Sequence, residues 1–249
     1  MKFGRLVPLV LIILFLTGWE AICRYFAVPD FILPPPSGIA RIAVESAPLL
    51  LYHAGATLLE ILLGIALSVA VAVPVSVAMF AHPTLERSLT PLLVASQAVP
   101  VFAVAPLLVV WLGYGIVSKI VMAAVIIFFP ITVSLLEGFK GCDREYRILF
   151  RLMGAGFWQT FRLLWWPWAL PNFFTGLKVG VSVATIGAVI GEWVGAQRGL
   201  GYLMIQSNAR LRVDLVFAAI LYLSAMGLGL WVIVDALGKR VVAWKNQKE

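Results

Sequence analysis

Long apolar runs broken by short polar stretches organise the chain of 249 residues. Six runs, at 6–22, 54–79, 91–112, 119–136, 172–194 and 215–237, approach or exceed the roughly 17–25 residues that cross a bilayer as a helix. The pattern predicts an all-α membrane protein of about six transmembrane helices, with residues 1–249 forming a single transmembrane domain. No soluble domain of useful size fits between the runs. The first run follows Lys2 and Arg5 and carries no A-x-A cleavage pattern, so it reads as a retained span rather than a signal peptide.

Gly64, Pro74, Pro100, Pro106, Pro130, Gly187 and Gly191 fall inside these runs. Such breaks are tolerated in lipid where neighbouring helices or a cavity satisfy the freed backbone. Ala66, Ser68, Ala70 and Ala72 add small residues that let helices approach closely. Before the second run, Leu33-Pro34-Pro35-Pro36-Ser37 imposes an extended entry, and Ser37 is expected to cap a short helix reaching about residue 51. His53 and His82 bracket the second run and are expected at the two interfaces.

Composition agrees: 62% of residues are hydrophobic and 12% charged, against about 45–50% and 25% in soluble domains. The net charge of +7 has no soluble basic domain to carry it, which excludes nucleic acid as a partner and leaves the lipid bilayer. With the N-terminus inside, Lys2, Arg5, Arg87, Lys140, Arg144, Arg147, Arg151, Arg162, Lys239, Arg240, Lys245 and Lys248 are cytoplasmic, and Arg24, Arg41, Lys119, Arg198, Arg210 and Arg212 lie outside. This twofold bias places both termini in the cytoplasm. Trp165, Trp166 and Trp168 then mark one membrane face, and Trp19, Trp111 and Trp193 the other. Cys23 and Cys142 fall on opposite sides and cannot pair, and no metal-ligand spacing is present.

The stretch 138–171, GFKGCDREYRILFRLMGAGFWQTFRLLWWPWALP, holds five of the nineteen Lys and Arg residues. Asp143 and Glu145 suit a helix start. Tyr146, Leu149, Phe150 and Met153 recur at helical spacing, opposite Arg144, Arg147 and Arg151. Gly154 and Gly156 break that helix, and a second short helix at about 157–164, carrying Phe157, Trp158 and Phe161, is expected to end before Pro167. Exposed aromatics of this kind call for a partner groove or lipid headgroups; a plain amphipathic surface pair fits the composition equally well.

Gly154-Ala155, Trp158-Gln159, Pro167 and Ala169-Leu170-Pro171 resemble the cytoplasmic EAA loop of the permease subunits of bacterial ABC importers. That loop reads Glu-Ala-Ala, three residues, Gly, nine residues, Ile-x-Leu-Pro. The resemblance puts the motif glycine at Gly154 and the motif proline at Pro167. It implies a coupling helix that docks on a separate ATPase through Leu149, Phe150, Gly154, Ala155, Gly156, Phe157, Trp158 and Pro167. Ile148, Leu149 and Phe150 replace Glu-Ala-Ala, and Leu164 and Trp166 replace the Ile and Leu, so the contact of the motif glutamate is not implied here. The similarity runs along nearly the whole chain: Leu33-Pro34-Pro35-Pro36-Ser37, Pro100 through Pro106-Leu107 to Trp111-Leu112-Gly113, Gly191-Glu192-Trp193-Val194-Gly195 and Gly199-Leu200-Gly201-Tyr202. It points to the permeases for nitrate, aliphatic sulfonates, taurine and thiamine-precursor pyrimidines.

The resemblance implies a type I ABC importer permease fold in the bacterial inner membrane. It implies a second permease copy (a homodimer or heterodimer), two ATPase subunits and an extracytoplasmic substrate-binding protein. No Gly-x-x-x-x-Gly-Lys-Ser/Thr occurs, Gly238-Lys239-Arg240 being the nearest fragment, so the chain is not expected to be an enzyme or to hold a cofactor. ATP and Mg belong to the partner ATPase. A secondary transporter or channel would instead show internal repeats and mid-membrane coupling carboxylates.

Polar groups inside spans point to a substrate pathway. The candidates are Glu60, Gln97, Pro100, Ser182, Thr185 and Glu192; the ordinary alternative for the two glutamates is pairing with Arg41 or Arg198. Related sulfonate- and nitrate-type permeases tend to carry Arg in the stretch that here reads Thr57-Leu58-Leu59-Glu60. A carboxylate there disfavours an anion. With Asn172-Phe173-Phe174-Thr175-Gly176-Leu177-Lys178 and Gly187-Ala188-Val189-Ile190-Gly191-Glu192, which resemble the pyrimidine-type permeases, this leans the substrate towards a thiamine-precursor pyrimidine or similar heterocycle.

Overall fold

The computed structural model describes residues 3–243; Lys2, Lys245, Lys248 and the Arg5 side chain from the charge count lie outside the described residues. The chain runs through α1 (Phe3–Tyr25), α2 (Pro36–Glu45), α3 (Ala47–Ala81), α4 (Pro83–Ala98), α5 (Val101–Leu112), α6 (Ile116–Lys140), α7 (Arg144–Leu152), α8 (Phe157–Thr160), a π-helical turn (Phe161–Trp165), α9 (Trp166–Trp193), α10 (Leu200–Ala209) and α11 (Val213–Val241). Four stretches, Ala47–Ala81, Ile116–Lys140, Phe157–Trp193 and Val213–Val241, are long and apolar enough to cross a membrane, and α4 with α5 makes a fifth if the bent pair is one span.

Two features of the first loop differ from expectation, while the third apolar run bends where its prolines break it. The third apolar run is not straight: α4 and α5 meet at 101°. Pro100 has no N–H to continue the helix, and its ring drives Val99 out of helical backbone, to φ −76°, ψ 122°. At the first loop, Pro35 and not Ser37 occupies the N-cap of α2. The Ser37 N–H and hydroxyl donate instead to the Glu20 carboxylate, at 3.0 and 2.7 Å. Finally α2 stops at Glu45, so α3 begins about two turns earlier than the second apolar run.

Chain contacts separate two compact units. The first comprises Met1–Thr57 and Gln197–Ala225. Here α3 caps the start of α10: the Gly199 N–H donates to His53 Nδ1 at 3.1 Å and the Leu200 N–H to Thr57 Oγ1 at 2.8 Å. Two donors that a helix N-terminus leaves unsatisfied are thereby paired. His53 is therefore buried within the first unit, whereas His82 is exposed. The Tyr222 hydroxyl donates to the Ala43 carbonyl at 3.1 Å, and Trp19 meets Phe217 edge-on.

The second unit comprises Leu58–Ala196 and Met226–Glu249. Its centre is α6, whose Ile127, Ile131, Leu135 and Phe139 are fully buried. Small residues bring α9 against it: a Cβ at Gly176 would lie 2.6 Å from the Pro130 carbonyl oxygen, and one at Gly187 3.0 Å from Ala123 Cα. α3 approaches the same residue: a Cβ at Gly64 would lie 2.7 Å from Ala123 Cβ. Close backbone approach of this kind is how helices gain packing where lipid offers no hydrophobic drive. The Ser76 hydroxyl of α3 donates to the Thr132 carbonyl of α6 at 3.1 Å.

Candidate functional site

The corner expected to dock is built by a helix end that requires glycine. α7 closes with the Ala155 N–H on the Phe150 carbonyl and the Gly154 N–H on the Arg151 carbonyl, both at 3.0 Å. This paired bonding is the Schellman arrangement, and it needs a left-handed residue just past the helix. Gly154 supplies it at φ +74°. Gly156, at φ −71°, opens the next helix, where its N–H donates to Gln159 Oε1 at 3.3 Å.

The second docking helix is not separate, contrary to expectation. α8 passes through the π-helical turn straight into α9, giving one helical run, Phe157–Trp193. Pro167 therefore does not stop a helix; it sits in the first turn of α9. The extra residue of the π turn lets the Trp166 N–H reach back to the Phe161 carbonyl ahead of the proline. Aromatic packing holds the turn in place: Phe161 lies 5.6 Å from Phe139 and Trp165 5.0 Å from Phe80, centroid to centroid.

None of α7 is buried. Leu149, Leu152, Met153, Phe157 and Trp158 are exposed, with Trp158 at 71%. Phe150, Ala155 and Pro167 are half-buried. Beside them a cavity of about 810 Å³ runs between Val73, Val77 and Ala81 of α3 and Phe157, Phe161 and Trp166. Cys142 is buried just before α7, and burial pushes its thiol above the ordinary range. The arrangement presents an apolar and basic corner that none of the described residues covers.

The proposed pathway residues fall into three places. Glu60 and Glu192, both buried, come together with a third residue that the sequence reading put in an outer segment: Lys119, in the first turn of α6. Lys119 Nζ lies 3.0 Å from Glu60 Oε1, and the Glu192 carboxyl is within hydrogen-bonding reach of Glu60. The expected pairing with Arg41 or Arg198 is replaced: Arg41 meets Glu45 at 3.7 Å, and Arg198 lies over the Tyr52 ring. Gln97 and Pro100 are exposed where α4 meets α5, and Gln97 donates to Ser96 Oγ at 3.2 Å. Ser182 and Thr185 lie on α9, Ser182 exposed and Thr185 half-buried.

A second intramembrane ion pair escaped the sequence reading. Lys178 Nζ of α9 lies 3.0 Å from Asp235 Oδ1 of α11, and Lys239 Nζ lies 2.6 Å from Asp235 Oδ2. The signal was a lone lysine and a lone aspartate in apolar runs, with Asp235 and Lys239 one turn apart. Among the described residues no cluster of His, Cys, Asp or Glu could hold a metal ion.

Residues 64–243 match the family described as "Binding-protein-dependent transport system inner membrane component". The chain is 38% identical to the formylaminopyrimidine transport permease protein ThiX of Halalkalibacterium halodurans, over 99% of each chain. It is 36% identical to the riboflavin transport system permease protein RibX of Chloroflexus aurantiacus, over 97% of this chain and 90% of that one. It is 30% identical to the taurine transport system permease protein TauC of Escherichia coli, over 93% of this chain and 87% of that one. In fold it is similar to a chain of the MetNI methionine ABC transporter, solved in inward-facing conformations, with a TM-score of 0.61 at 20% identity over 79% of this chain and 98% of that one.

Proposed function

Because the chain belongs to the family of binding-protein-dependent transport system inner membrane components, the permease subunits of ABC transporters, we propose that it forms the membrane path for a thiamine-precursor pyrimidine or similar nitrogen heterocycle. As a permease it is a multi-pass membrane protein, and its family implies an ATPase and a substrate-binding protein as partners. In our reading two copies of the chain enclose the path and two ATPase subunits grip the Gly154 corners from the cytoplasm, where both termini also lie. ATP and Mg are held by the ATPase. Closure of the ATPases moves α7 and, through the unbroken run Phe157–Trp193, the membrane helix behind it.

The observation that carries the coupling role is the corner itself: an α7 with no buried residue, fixed in direction by a glycine at φ +74°. Leu149, Phe150, Gly154, Ala155, Gly156, Phe157, Trp158 and Pro167 are its contact residues. The substrate reading is supported by the likeness to a formylaminopyrimidine permease and a riboflavin permease. It is supported also by the Glu60–Lys119–Glu192 cluster, in which the one ammonium is already paired with Glu60 and no cation is left over to receive an anion. Gln97, Pro100, Ser182 and Thr185 line the remainder of the path.

The test is to purify the chain with its ATPase and binding protein and identify the binding protein's cargo by mass spectrometry. A pyrimidine or related heterocycle is expected. Taurine or another sulfonate as cargo overturns the substrate assignment while leaving the permease assignment intact.

A further inference from the structure

α9 carries a polar stripe that neither the docking corner nor the Glu60 cluster uses. Thr175, Lys178 and Ser182 follow each other at one-turn spacing. At 100° per residue they lie opposite Gly176, Gly180 and Gly187, the glycines pressed against α6. Thr175 and Ser182 are exposed. Their hydroxyls donate to the Pro171 and Lys178 carbonyls of the same helix, so it is the Lys178 ammonium that places this face against protein or an aqueous path rather than hydrocarbon.

α11 completes this face. It runs antiparallel to α9, with Gly227 facing Thr185 and Gly238 facing Phe174. That register sets Asp235 against Lys178 at 3.0 Å and places the Trp231 ring centroid 5.8 Å from Lys178 Nζ. An ammonium has three N–H donors; among the described residues Lys178 directs a side-chain hydrogen bond only to Asp235. Its side chain is 29% exposed, and Trp231 is 39% exposed. Lys239 holds the other Asp235 oxygen and so fixes the carboxylate plane. The result is an aromatic face, a hydrogen-bond donor and a hydrogen-bond acceptor within one turn of each other, inside two apolar helices.

We propose that Lys178, Asp235 and Trp231, with Ser182 one turn along α9, form a contact site for the solute on the translocation path, suited to a planar heterocycle. The ring stacks on Trp231, a ring nitrogen or carbonyl accepts an N–H from Lys178, and an amino group donates to Asp235. Asp235 meets two ammonium groups, Lys178 within the helix pair and the largely exposed Lys239, so the preference for a planar ring rests on Trp231 and on the donor and acceptor beside it. The site rests on the permease reading above and deepens it.

The experiment uses the full complex of permease, ATPase and binding protein in proteoliposomes, with formylaminopyrimidine as the probe at saturating loaded binding protein. Uptake and ATP hydrolysis are read in parallel, together with retention of the ATPase. Stacking on an aromatic face supports about a tenfold effect. Trp231→Leu is therefore expected to lower uptake about tenfold while ATP hydrolysis and ATPase retention stay near wild type. The paired change Lys178→Met with Asp235→Asn, which leaves only the largely exposed Lys239 without its partner, should do the same. The swap Lys178→Asp with Asp235→Lys should assemble yet transport poorly. Wild-type uptake in the Trp231 variant overturns the site, as does a loss that merely follows lost assembly or is repaired by the charge swap. A wild-type complex that carries taurine and not formylaminopyrimidine overturns the substrate reading, and with it the heterocycle chemistry assigned here.

Discussion

Replacing Gly154 with alanine separates the geometry of the docking corner from its contacts. A Cβ at Gly154 meets nothing within 4 Å, so sterics from neighbours add no cost. The backbone is the whole cost: at φ +74° an L-residue is disfavoured by about 1–2 kcal/mol. That shifts the equilibrium between the formed and unformed corner by about 5- to 30-fold. Gly156, two residues on, also meets nothing within 4 Å, but it sits at φ −71°, where alanine fits. Asparagine tolerates the left-handed region better than alanine, so Gly154→Asn should recover part of the loss. The assay is retention of the ATPase subunit by the purified permease, with ATP-driven uptake measured alongside. Gly154→Ala should weaken ATPase binding about 5- to 30-fold, Gly156→Ala should match wild type, and Gly154→Asn should fall between. Equal losses at Gly154 and Gly156, or none at Gly154, refute the argument that the Schellman corner aims α7.

Gly176→Val should lower the thermal stability of the permease in detergent by about 1–3 kcal/mol or prevent its recovery, because a Cβ there already lies 2.6 Å from the Pro130 oxygen; Gly229→Ala, with nothing within 4 Å, should be neutral in the same melt. Lys119→Met leaves Glu60 buried without its cation and should cost about 3–5 kcal/mol, most of it returned by adding Glu60→Gln. A double-mutant cycle of detergent melting checks that recovery. The Cys142 thiol, buried and shifted upward, should react with N-ethylmaleimide at neutral pH only after denaturation, as read by intact-mass spectrometry.

The features legible in the sequence were those set by local chemistry. A proline after a hydrophobic run marked the α4–α5 break, and two glycines close together marked the docking corner. Pro167 misled because a proline reads equally as the stop of one helix and the first turn of another. What decided between them was aromatic packing of Phe161 on Phe139 and of Trp165 on Phe80, contacts between residues distant in sequence. Ser37 misled for a similar reason: a serine after prolines is a good cap, but Glu20 of α1 accepts both of its donors. The ion pairs were invisible as pairs. Lys119 looked like an outer-loop cation because it stands at the edge of an apolar run, and its partner Glu60 is 59 residues away. Lys178 and Asp235 are separated by 57 residues. Single charges in spans could be flagged from sequence, but their partners needed the helix register of α9 on α11.

The central claim is that this chain moves its solute only as part of an ATP-driven assembly. Its most direct test is uptake of labelled formylaminopyrimidine into proteoliposomes, with the permease, ATPase and binding protein each left out in turn. The account predicts uptake only with all three and with ATP. Uptake by the permease alone, driven by the solute's own gradient or an ion gradient, would contradict it.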